Sequence, residues 1–130
     1  MSDHRRVVSA DGAPAAVGPY SHAVAHAGVL YCSGQVPLDP ATGALVEGSL
    51  AEQTTRCLEN LSVVCAAGGT AITEAVRCGI YVTDIATFKE VNEAYAAYFP
   101  DAPPARTLIG VASLPLGAQV EIDALVALRA

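Results

Sequence analysis

Tryptophan is absent from this 130-residue chain, lysine occurs once, at Lys89, and only 15% of the residues are charged. The scarcity of lysine, with 7 Lys+Arg against 13 Asp+Glu and a net charge of −6, leaves no basic face for a phosphate backbone, so no nucleic-acid partner is expected. No long apolar run exists either. The greasiest stretch, residues 61–72, is broken by Gly68 and Gly69 and falls short of the roughly 20 residues that cross a bilayer, so no membrane partner is expected. Arg5 and Arg6 have no apolar run behind them, which predicts no secretory leader and a cytoplasmic location. Disorder is excluded from the other side, because 52% of the residues are hydrophobic. A soluble chain so thin in charge predicts an apolar face covered by another subunit.

Metal and thiol chemistry find little support. The cysteines stand at 32, 57, 65 and 78, with no pair at the spacing of a zinc knuckle and no histidine among His4, His22 and His26 placed to complete one. Buried free thiols are the expectation. One hundred and thirty residues make one domain, which should bury roughly two-thirds of its unfolded surface and so form a core without staples.

The chain is legible as a string of elements. Residues 29–36 (VLYCSGQV) read as a strand after a Gly28 turn, hairpin-paired with residues 21–27. Residues 37–48, with two prolines and two glycines, form a loop. Ser49 and Glu52 make a capping box, and Leu50, Thr54, Cys57/Leu58, Leu61 and Val64/Cys65 form the buried stripe of a first helix that Gly68-Gly69 ends. Alternation over 75–83 predicts a strand with Val76, Cys78, Ile80 and Val82 on the core. Asp84 is placed to cap a second helix with Ile85, Phe88, Val91/Asn92, Tyr95 and Phe99 buried, stopped by residues 100–104. Residues 106–112 read as a third core strand. Residues 119–128 are the clearest strand, with Val120, Ile122, Ala124, Val126 and Leu128 on one face. With a first strand at 6–9, the order is β(ββ)αβαββ, an α+β layer with both helices on one face of a mixed sheet and nothing left to cover the other except a partner subunit.

Two charges stand out. Glu121 projects from the face opposite the core stripe, and Arg106 begins a strand after a rigid Pro103-Pro104-Ala105 approach. If both occupy the non-helix face they share a cleft closed by a neighbour, with Arg106 clamping a carboxylate and Glu121 positioning water. The plainer reading is a solvated strand glutamate and a loop arginine. Asn92 and Tyr95 read as packing and capping groups of the second helix. Gly18-Pro19-Tyr20 is a stiff turn presenting a ring. Gly34, after Ser33, is odd inside a strand unless a ligand or a subunit comes close.

These same residues carry a resemblance. Residues 13–21 (APAAVGPYS), 32–37 (CSGQVP), 91–95 (VNEAY), 104–106 (PAR) and 120–124 (VEIDA) resemble, in order and over nearly the whole chain, the motifs of the reactive intermediate deaminase family (RidA/YjgF), formerly described as L-PSP endoribonucleases or translation inhibitors. The resemblance implies a chorismate-mutase-like protomer in a homotrimer, with the sheets forming a central barrel and clefts between subunits. It implies hydrolysis of 2-imino or enamine carboxylic acids to 2-keto acids and ammonia, with no metal and no cofactor. In that scheme Arg106 binds the carboxylate and Glu121 positions or activates water. Tyr20, Ser33 and Gly34 line the cleft, and Asn92 supports it from the helix. Leu108 stands where well-studied members often carry cysteine, and the resemblance implies that its side chain lines the substrate pocket; Gly110 stands where a larger residue is common, and His22 where glutamine is frequent. Substrate preference is thereby left open. Alternatives are an endoribonuclease or translation inhibitor, a specialised aminomuconate-type deaminase, and a non-catalytic trimer binding small acids.

Overall fold

The computed structural model describes residues 4–129. Six strands form one mixed sheet in the order β1-β2-β3-β6-β4-β5. They are β1 (Arg6–Val8), β2 (Ala23–His26), β3 (Val29–Gln35), β4 (Ala75–Val82), β5 (Ala105–Gly110) and β6 (Val120–Ala127). Helices α1 (Leu50–Ala67) and α2 (Phe88–Tyr98) cross between them. The architecture is the expected α+β layer. Only β4 and β5 run parallel, because α2 carries the chain back to the same end of the sheet before β5 begins.

The α1 stripe is buried as its spacing requires: Leu50, Thr54, Cys57, Leu58, Leu61, Val64 and Cys65 all lie against the sheet. The capping box forms in both directions, Glu52 N–H to Ser49 Oγ at 3.1 Å and Ser49 N–H to Glu52 Oε1 at 3.1 Å. Cys78, Ile80 and Val82 of β4 and Val120, Ile122, Ala124 and Val126 of β6 complete the core, while Leu128 is only partly buried. All four cysteines are buried and free. Burial pushes the Cys57 and Cys78 thiols up, and the Cys32 thiol is raised first by its hydrogen bond with Cys65 and then by burial. Among the described residues, no helix is long and apolar enough to cross a membrane.

Three expectations need correction. Asp84 does cap, accepting from Ala86 N–H at 3.0 Å, but it caps one 3₁₀ turn, Ile85–Thr87, and α2 starts only at Phe88. The tighter turn is out of phase with α2, which leaves Ile85 exposed, and Phe88 is exposed at the first position of α2, while Val91, Tyr95 and Phe99 remain buried. Val76 is exposed because a bulge between Ala75 and Arg77 shifts the β4–β6 register. The strand at 106–112 is an edge strand of six residues whose side chains are mostly exposed, rather than a core strand.

The sheet face away from the helices is open. Val7, Tyr31 and Ile109 are exposed on it, beside Glu121 and Asp123.

Candidate functional site

The face on which each side chain lies follows from register. Glu121 sits opposite Tyr81, while the neighbouring β6 positions Val120 and Ile122 pair with Val82 and Ile80 in the core. Glu121 therefore projects onto the open face. Arg106 sits opposite Cys78, a core residue, and Leu108 opposite Ile80. Arg106, Leu108 and Gly110 therefore lie on the helix side of β5, with Thr107 and Ile109 on the open side. The cleft expected from both charges on one face does not exist within a single chain. The structure instead holds two separate candidate sites on opposite faces, each called a half-site below for the part proposed for it.

The first half-site gathers Tyr20, Ser33, Gly34 and Glu121 around a pocket of about 340 Å³, with Val17, Val36, Leu38 and Leu116 as apolar walls. It begins with a bulge: Cys32 pairs with Ala124 but Gln35 with Ile122, so β3 holds one residue more than β6 at Ser33-Gly34. The glutamate lies across this bulge. A Cβ on Gly34 would overlap the Glu121 carboxylate and come 2.9 Å from its Cδ, which explains a glycine inside a strand. The Ser33 hydroxyl donates to the Ser21 carbonyl at 2.6 Å, and its N–H to the His22 carbonyl at 3.0 Å. Those bonds dock the loop that presents Tyr20, whose hydroxyl accepts from Val17 N–H at 3.3 Å.

Burial raises the Glu121 carboxyl above its usual range, and the charge of Asp123 two residues on adds to the shift. Asp123 itself accepts from Gly79 N–H at 3.1 Å and from the Tyr81 hydroxyl at 2.8 Å. Glu121 has no such donors among the described residues. A half-buried carboxylate without donors is suited to hold and take a proton from a water molecule.

The second half-site lies on the helix side. Arg106 Nη1 donates to Asn92 Oδ1 at 2.8 Å, and its guanidinium carbon stands 5.1 Å from the centroid of the Tyr95 ring. Asn92 and Tyr95, read from sequence as packing groups, thus hold the arginine in place. The Tyr95 hydroxyl is buried against the Cys78 thiol, and burial raises it. Pro103 and Pro104 wall a shallow cleft of about 400 Å³ in front of the exposed guanidinium. Leu108 is half-buried against the core and lines neither half-site.

One contributor was noted from sequence only as standing where glutamine is frequent, with no role assigned. His22 is buried, accepting at Nδ1 from Ala10 N–H at 2.9 Å and donating from Nε2–H to the Pro14 carbonyl at 2.8 Å, which defines its tautomer. It staples the segment that carries Pro14 and Tyr20 to β2. A lone histidine in a loop gives no local signal of this, because both partners are backbone groups 8 and 12 residues away.

Fold and site together define a small α+β protein with an open sheet face and two clefts, one holding a carboxylate and the other a guanidinium. The chain belongs to the RidA/YjgF family. The family described as Endoribonuclease L-PSP matches residues 10–128. The chain is 49% identical over 123 residues to Protein DfrA of Myxococcus xanthus, covering 93% of this chain and 94% of that one. It is 42% identical over 120 residues to the human 2-iminobutanoate/2-iminopropanoate deaminase, covering 92% and 88%. Among solved structures, RidA from an Antarctic Psychrobacter superimposes with a TM-score of 0.91 at 36% identity, covering 95% and 99%.

Proposed function

We propose that the protein hydrolyses reactive 2-imino or enamine carboxylic acids to 2-keto acids and ammonia, in a cleft that two copies of the chain complete within a homotrimer. The observation that carries this reading is the Glu121 carboxylate, laid over Gly34 in an apolar pocket with its acidity lowered by burial. Its relatives named 2-iminobutanoate/2-iminopropanoate deaminase, at 42% identity, support the reaction class. The open face with Val7, Tyr31 and Ile109 supports assembly, since a second copy would cover it and bring an Arg106 half-site to a Glu121 half-site.

The chemistry asks little of the protein. An imine carbon is already electrophilic, so placing one water accounts for much of the task. Glu121 takes a proton from that water as its oxygen bonds to the imine carbon. Glu121 returns that proton to the nitrogen, and as the carbinolamine collapses to the ketone its hydroxyl proton passes through the same carboxylate to the nitrogen, which leaves as ammonia. Arg106 offers two parallel N–H donors to the substrate carboxylate, with Asn92 and Tyr95 restricting its freedom. Tyr20, Ser33 and Gly34 bound the substrate on the glutamate side. No step calls for a metal or a cofactor. The endoribonuclease named in the family description is disfavoured for this chain by its net charge of −6 and single lysine.

The test couples the protein to a threonine dehydratase, which releases 2-aminocrotonate and its imine, in the presence of semicarbazide as a trap. The protein should lower the semicarbazone signal and raise free 2-oxobutyrate in proportion to its concentration. An unchanged semicarbazone rate at equimolar protein would overturn the reading.

A further inference from the structure

Leu116 combines two unfavourable features at one position. Its backbone lies in the left-handed region, at φ 61 and ψ 15, between Pro115 and Gly117, itself at φ 76. Glycine or asparagine would occupy that conformation with less strain than leucine. The isobutyl group is also 60% exposed, so burial within the chain does not offset the strain. Strain retained at one position in this way points to function. Leu116 stands on the wall of the Glu121 pocket, where Val17 is likewise 72% exposed, with Val36 and Leu38 deeper in.

We propose that Leu116 is a specificity-determining residue. With Val17, Val36 and Leu38 it forms an apolar wall that receives the substrate's side chain, selecting small 2-oxo or 2-imino carboxylates with branched aliphatic or aromatic side chains. The inference rests on the deaminase reading for the reaction but not for the recognition of the acid. The pocket's 340 Å³ falls within the range of about 300–1,000 Å³ that holds ligands much larger than a three-carbon acid. Each methylene withdrawn from water against such a wall should tighten binding by about fourfold. Acidic side chains are rejected, because the wall offers them no donor and Glu121 repels them.

The experiment titrates the full chain with pyruvate, 2-oxobutyrate, 4-methyl-2-oxopentanoate, phenylpyruvate and 2-oxoglutarate by calorimetry, for the parent and for Leu116→Asn. In parallel, it measures turnover of imines released by an amino-acid oxidase from alanine, leucine and phenylalanine. The parent should bind 4-methyl-2-oxopentanoate at least about tenfold tighter than pyruvate, and 2-oxoglutarate most weakly. Leu116→Asn should compress the apolar series to within about threefold while its melting temperature holds or rises, since asparagine relieves the left-handed strain. A flat series in the parent, absence of binding by every acid, or a Leu116→Asn variant that keeps the parent series overturns the proposal. A graded series with no turnover of any imine leaves the wall assigned and removes the deaminase reading. Turnover of all imines with a flat series does the reverse.

Discussion

Within one chain the Glu121 pocket and the Arg106 cleft are opposites in charge, lining and position. The pocket lies at the open face, is mostly apolar, and holds a carboxylate that burial disfavours. The cleft lies on the helix side, is framed by prolines, and holds a guanidinium already anchored to Asn92 and stacked on Tyr95. In the proposed reaction the first serves proton transfer and the second holds the substrate carboxylate. Each lacks what the other has. The fold puts the two on opposite faces of one sheet, so the proposed cleft requires a second copy of the chain, and assembly and chemistry are tested together.

Four experiments bear on that contrast. The largest effect belongs to Glu121→Gln, which keeps shape but removes the base. Its kcat should fall by about 10²- to 10⁴-fold with KM little changed. The same change should stabilise the protein at neutral pH. A carboxyl raised by burial binds its proton more tightly when folded than when unfolded, so ionised Glu121 subtracts stability as the pH rises from the ordinary glutamate range through the folded value. Melting curves of parent and variant should therefore converge below that window and separate above it, with the variant higher.

Arg106→Lys should follow, losing about a hundredfold in kcat/KM with a raised KM, because an ammonium cannot make the paired hydrogen bonds of a guanidinium. Refolding this variant with Glu121→Gln in equal amounts should restore activity at about a quarter of the sites if each cleft draws its two halves from different copies. No recovery in the mixture would show that the halves do not meet across subunits.

Gly34→Ala should cost ten- to a hundredfold, roughly, in kcat with a small change in melting temperature. The new methyl displaces the flexible end of Glu121 rather than backbone, so the geometry of the base is disturbed more than the fold. Least of all should come from the thiols: treatment with an alkylating reagent under native conditions should change activity by less than about twofold, since all four cysteines are buried in the core.

Much of this was legible beforehand, but unevenly. The capping box at Ser49 and Glu52, the α1 stripe from Leu50 to Cys65 and the alternation along 120–126 are local signals, and the structure places them as their spacing requires. Glu121 on the open face followed from the same alternation. Arg106 did not follow, because β5 offers no parity to read. Leu108 and Ile109 are adjacent, both apolar and on opposite faces, so periodicity cannot say which side the arginine takes. The bulge at Ala75–Arg77, which exposes Val76, was likewise invisible, and the one at Ser33-Gly34 showed only as a glycine out of place in a strand.

The division has a physical reason. Residues three or four apart on a helix, or two apart on a strand, meet through covalent geometry alone, so the sequence determined the elements, their caps and most of the core. Which face of the sheet a side chain finally occupies depends on the register of a partner strand, where a slip of one residue inverts every position. That register is set by the parallel pairing of β4 with β5 and by packing across the core. Tertiary structure alone decided that Arg106 and Glu121 stand apart, that His22 holds the Tyr20 segment through two backbone groups, and that Leu116 bears its strain beside the glutamate.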